Sequence, residues 1–276
     1  MYILKSIKLY FFSVFRLFFL NIRNFYFRSN LYNKKLVTFI PDRIFYSPST
    51  YLSASLSTIN SDFYKITSTT PELLWKTNIK DRLKFENLHS FLWLARLDRK
   101  NSKIITKDII KSWINIFSNY DPNTWEMEIT AKRIIAWSSN IDITLENSDK
   151  IYKENFFISL IKQSNFLLKN IKNLFYGQSK IICCAAIILS GIIFKENDFN
   201  YKAGIKELEK IVKNYFDEKG FPKSRNPEEV FVSIKYLILI REWFKEAQKP
   251  IPDFLNEIIH KCGNCYAILS CMNEQF

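Results

Sequence analysis

Apolar residues along most of this chain recur at helical spacing. Phe85, Leu88, Leu92 and Leu94–Ala95 fit one buried helix face, and Ile109, Ile110, Trp113, Ile114 and Phe117 fit a second. Asn119–Asp121 and Pro122 close that second helix. Further helices are predicted over Glu128–Ser138, Phe156–Leu174, Tyr201–Phe216 and Glu228–Phe244, with another starting at Pro252–Ile259. Ile181–Phe194 is apolar almost all round, which predicts a central, buried helix. Gly220–Pro227 reads as a loop. Short connections between consecutive helices favour antiparallel neighbours. The spacing predicts an all-α protein, and a bundle, an irregular solenoid and a toroid of helical hairpins all satisfy it.

The first third differs. Residues 1–28 form a basic amphipathic helix in which Lys5, Lys8, Arg16, Arg23 and Arg28 interrupt the apolar positions. No uncharged stretch approaches the roughly 20 residues of a membrane span, and no small-residue cleavage site follows. A cleavable signal peptide is not expected, and a cytoplasmic or peripheral membrane location is favoured. Such a helix lies on a membrane surface or packs on the protein itself. Residues 29–70, with Pro41, Pro48 and many Ser and Thr, read as an irregular connector with a short strand at Leu36–Ile40. Residues 71–276 form the helical domain, opened by Pro71.

Composition narrows the class. Hydrophobic residues make up 47% of 276 residues and glycines number five, which argues against a turn-rich β protein. The formal charge of +13 suits an acidic partner such as a polysaccharide, nucleic acid or phospholipid surface, although a lysine-rich face is often merely solvated. Basic residues are dispersed and no nucleic-acid motif is evident, so no nucleic-acid partner is expected. The five cysteines, an odd count with Cys183 and Cys184 adjacent in an apolar run, are not a disulfide framework. His260, Cys262, Cys265 and Cys271 have zinc-ligand chemistry, but a second Cys-x-x-Cys or paired His is lacking. They read as incidental thiols in a frayed terminus; no metal and no cofactor are expected.

Four segments, in order, resemble heparinase II/III-like polysaccharide lyases. They are Glu86–Leu97, with His89 and Trp93; Trp125–Trp137, with its Trp-Glu start and Ala-x-Arg-x-x-x-Trp helix; Gly177–Gly191; and Phe216–Pro227, with Ser-Arg-Asn-Pro. The resemblance runs from about Ser29 to the C-terminus and implies an incomplete α/α toroid whose groove holds an acidic, uronic-acid-containing polysaccharide. The family reaction is β-elimination. It needs a proton-transfer group within hydrogen-bond reach and donors that stabilise the enolate. Family members are often periplasmic and carry a β-sandwich domain after the toroid; here that part would be a separate domain or chain.

The resemblance implies Gln178 and Ser179 at positions where active relatives place Asn-His, and the expected Tyr beyond the Gly220–Pro227 loop is not matched. Turnover by this chain alone is therefore not expected. Substrate-binding candidates are His89, Trp125, Glu126, Arg133, Trp137, Gln178, Arg225 and Asn226, with Lys180 a possible groove cation. Each has a structural alternative. The tryptophans can be core with Arg133 paired to Glu126 or Glu128, His89 a satisfied half-buried histidine, and Asn226-Pro227 a helix cap. A non-catalytic helical scaffold or interaction protein at a membrane surface is the competing function.

Overall fold

The computed structural model describes residues 2–57, 70–76 and 79–273. Thirteen α-helices account for most of them, and β-pairing among the described residues is a single isolated bridge, Phe216 to Pro222. The expected all-α class holds.

Helix α1 is Tyr2–Arg28 and α2 is Asn30–Leu36; the short helices α3 (Thr50–Ala54) and α4 (Pro71–Leu74) follow. The domain proper comprises α5 (Arg82–Ser90), α6 (Lys103–Phe117), α7 (Met127–Ser138), α8 (Ile141–Thr144), α9 (Lys150–Asn170), α10 (Gln178–Ile193), α11 (Asp198–Tyr215), α12 (Pro227–Glu246) and α13 (Asp253–Asn273).

Cross-contacts fix the directions. Arg82 at the start of α5 meets Glu126 at the start of α7, and Arg133 midway along α7 meets the His89 carbonyl near the end of α5. Ser179 and Cys183 on the first turns of α10 meet Glu128 and Met127 on the first turn of α7. Helices α5 and α7 therefore run side by side in one direction, and α10 begins beside the start of α7. Helix α11 runs back along α10, with Tyr201 beside Gly191 and Gly204 beside Ile187 and Ile188, and α13 runs back along α12, with Phe231 and Ile234 facing Tyr266 and Gly263. These are antiparallel hairpins, as the short connections predict.

Helix α10 is the hub. Every residue from Lys180 to Ile193 is buried, matching its all-round apolar sequence. Its closest partner is α11, because Gly191 brings the backbone against Tyr201 and Gly204 against Ile187 and Ile188. A Cβ at Gly191 would collide with Tyr201.

Several local expectations differ. Leu36–Ile40 is not a strand: Leu36 closes α2, and residues 37–40 are irregular. The face drawn through Phe85–Ala95 is broken at Phe91, whose φ of 58° ends α5 and turns the chain into a 3-10 helix at Leu92–Arg96. The carboxyl end is not frayed up to Asn273. Helix α13 is continuous there, and Cys262 and Cys265 donate to the Gly220 and Lys219 carbonyls at 3.2 and 3.3 Å. Those thiols pin the 216–226 loop to α13. The side chain of Cys271 lies outside the described residues.

Candidate functional site

The first turns of α5, α7 and α10 meet in a polar cluster. Glu126, the residue before α7, makes no cap bond of its own and instead accepts from Arg82 Nη2 at 3.1 Å. Arg82 Nε lies 2.6 Å from Glu86 one turn along α5. Glu128 is held twice: Lys132 Nζ is 2.6 Å from Oε1, and the Ser179 hydroxyl donates to Oε2 at 2.5 Å. Beside Ser179, the side-chain carbonyl oxygen of half-buried Gln178 is buried without a hydrogen-bond partner. An orphaned carbonyl of this kind costs free energy unless a donor arrives.

The two carboxyls are pushed apart. Burial, then repulsion from Glu128, raises Glu126 above the ordinary carboxylate range despite Arg82. Burial also pushes Glu128 upward, but Lys132 and Ser179 outweigh it and hold that carboxyl below its usual value. Beneath them, Tyr236 of α12 is buried; desolvation first, then Glu128 and Cys183, raise its phenol far above normal. Such divergence within one cluster is typical of sites that hold or move protons. Cations are not in surplus, since Glu86, Glu126 and Glu128 face Arg82 and Lys132.

The sequence candidates fall into two groups. Trp125, Arg133, Trp137 and His89 are buried in the core, where Trp125 meets Phe166 edge-on and Trp137 stacks on Phe156 rather than lining a surface. Arg133 does not pair with Glu126 or Glu128. Its guanidinium binds Gln163 Oε1 at 2.7 Å and the carbonyls of His89 and Thr124, both at 3.0 Å. His89 is fully rather than half buried, and its Nδ1 accepts from Trp113 Nε1 at 3.2 Å. Burial, with Arg133 nearby, lowers its pKa to about 3. A neutral, enclosed imidazole with one nitrogen occupied is a structural group.

Glu126 and Gln178 belong to the cluster. Arg225 and Asn226 lie on the loop before α12, where Arg225 binds Asp217 at 2.6 Å and Asn226 caps the helix by accepting from the Glu228 amide at 3.0 Å. Both are exposed. Lys180 is no free groove cation: it is buried, 3.0 Å from Glu207, with Tyr176 against its ammonium. Arg82, Glu128, Lys132 and Tyr236 were not among the candidates. The Glu128–Lys132 spacing was legible as a helical pair, whereas the contacts with Arg82, Ser179 and Tyr236 arise only on folding.

A separate cleft of 540 Å³ lies at the opposite end, lined by Tyr46, Gly191, Lys195, Glu246 and Lys249 among others. It forms where the connector docks, with Tyr46 Oη donating to Glu246 at 2.5 Å. Among the described residues, no group of three or more His, Cys, Asp or Glu side chains is arranged to hold a metal ion. No protein family, curated protein or solved structure matches this chain.

Proposed function

We propose that this chain is a heparinase II/III-like helical domain, an incomplete α/α toroid, that holds an acidic, uronic-acid-containing polysaccharide across the first turns of α5, α7 and α10. One observation carries the reading: three of the four resembling segments start close together, around Glu126, Ser179 and the unsatisfied Gln178. A sugar carboxylate would meet the first-turn amides of α10, at the positive end of its dipole. A sugar hydroxyl would donate to the Gln178 carbonyl.

β-Elimination by this chain alone is not part of the proposal. Ser179 stands where the resemblance calls for histidine, and its hydroxyl is engaged by Glu128. His89 is enclosed and neutral. Tyr236, nine residues beyond Pro227, is buried with its phenol held protonated.

The second reading, a non-catalytic helical scaffold, is favoured by the balance of cations and carboxylates in the cluster and by the burial of Trp125 and Trp137 in the core. Calorimetric titration with heparin-like, alginate-like and neutral dextran polymers separates the two. The polysaccharide reading expects binding of an acidic polymer, weakened several-fold in Gln178→Ala, with no rise in ultraviolet absorbance from unsaturated product. Absence of binding, or equal binding of dextran, would leave the scaffold reading. Clear absorbance growth would overturn the claim of inactivity.

A further inference from the structure

Helix α1 leaves the body after a single docked turn. Phe27 is buried against Tyr32, Tyr120 and Phe166, and Asn24 accepts from the Tyr120 hydroxyl. Ser29 and Asn33 fasten the joint, through a Ser29 bond to the Tyr26 carbonyl and an Asn33 bond to that of Phe27. Beyond that turn the large apolar side chains along one face are open. Phe15 is 61% exposed, Phe18 58%, Phe19 52%, Ile22 48% and Phe25 80%.

These positions are not scattered round the helix. At 100° per residue, Val14, Phe25, Phe18, Ile22, Phe15, Tyr26 and Phe19 fall in that angular order within an arc of about 140°. By the same register Arg23 lies about 40° beyond the Phe19 edge of the arc and Arg28 about 40° beyond the Val14 edge. Helix α1 contains five Lys and Arg residues and no Asp or Glu. An exposed apolar stripe of this size calls for a covering surface, and a cationic border specifies its charge.

We propose that α1 is an interfacial anchor that lies in the surface of an anionic phospholipid bilayer, with the Phe15–Phe18–Ile22–Phe25 stripe among the acyl chains and the cations at the headgroups. The bilayer boundary offers both chemistries in the geometry of the helix, an apolar layer edged by negative charge. A second copy of the chain would cover the stripe but bring a second set of the same cations beside the first. A transmembrane course does not fit, because no described helix is long and apolar enough to cross a membrane. The inference is independent of the polysaccharide reading, since no residue of the Glu126–Ser179 cluster takes part.

Vesicle co-sedimentation of the full chain tests it, using phosphatidylcholine vesicles with and without phosphatidylserine. The stripe variant Phe18→Asn/Ile22→Asn and the charge variant Arg23→Glu alter exposed residues outside the core, and circular dichroism verifies their folding. The expected result is binding to phosphatidylserine vesicles at least tenfold tighter than to pure phosphatidylcholine. The stripe variant should lose at least tenfold, and the charge variant most of the preference for anionic lipid. No binding to either vesicle overturns the proposal, as does undiminished binding by the stripe variant. Self-association that disappears in the stripe variant, without vesicle binding, would assign the stripe to a second copy instead.

Discussion

The guanidinium of Arg133 lies over the indole of Trp113, 4.1 Å from the ring centre, with both side chains wholly buried. No carboxylate among the described residues pairs with it. Its charge is met by carbonyl oxygens, an amide and a π face, so that burial pulls its pKa well down. Unlike a surface ion pair, this arrangement joins α5, α6, α7 and α9 through one side chain. Arg133→Ala should destabilise the protein by about 3–5 kcal/mol, because it opens a cavity and orphans Gln163 and two carbonyls. Urea unfolding measures this; a loss below about 1 kcal/mol would contradict the assigned role.

His89 gives the fold an acid limit. Its pKa is near 3 in the folded state against an ordinary 6.5, so the unfolded chain binds the proton more readily. A group depressed on folding contributes stability above its unfolded value and loses it as pH falls. The loss should therefore begin below about pH 6.5 and continue towards pH 3, amounting to a few kcal/mol. Denaturation midpoints of wild type and His89→Gln, followed from pH 7 to 4, should converge as the wild type weakens. Parallel curves would show that His89 does not titrate in this way.

Gly191 sets the closest approach of α10 to α11. Gly191→Ala should cost about 2–3 kcal/mol, since the new methyl meets the Tyr201 backbone rather than a movable side-chain tip. Thermal unfolding would register it as a clear drop in midpoint. Gly263→Ala is the control, because its nearest neighbour is Ile234 Cδ1 at 4.0 Å. Alanine is the better helix former, so Gly263→Ala should hold or raise the midpoint; a similar drop in both variants would contradict the role given to the Gly191–Tyr201 contact.

Cys262 should behave as a structural thiol. Burial, with Cys265 and Asp217 nearby, raises its pKa to about 12, which leaves little thiolate at neutral pH. Native protein treated with iodoacetamide at about pH 8 should show Cys262 unmodified by peptide mapping until denaturant is added. Added zinc should not shift the melting midpoint. Rapid native labelling, or a zinc-dependent rise in midpoint, would point to a reactive or metal-binding site.

The sequence by itself determined the helices and their inward faces. The unbroken apolar run Ile181–Phe194 could only be a buried hub, and Asn226-Pro227 carried the cap of α12 in its residue types. It also showed a cationic, apolar α1, since both properties follow from composition and spacing. Tertiary structure alone decided what each polar residue meets. Arg133 follows Glu128 by five residues, about 140° round the helix, and Glu126 by about two turns of axial rise, so it enters the core while they face Ser179 and Arg82. Likewise, the break at Phe91 depends on its packing against Trp93, Trp113 and Trp137, which no local pattern encodes. Periodicity records which side of a helix is apolar; the partner on the other side comes from a distant part of the chain, and only the folded arrangement selects it.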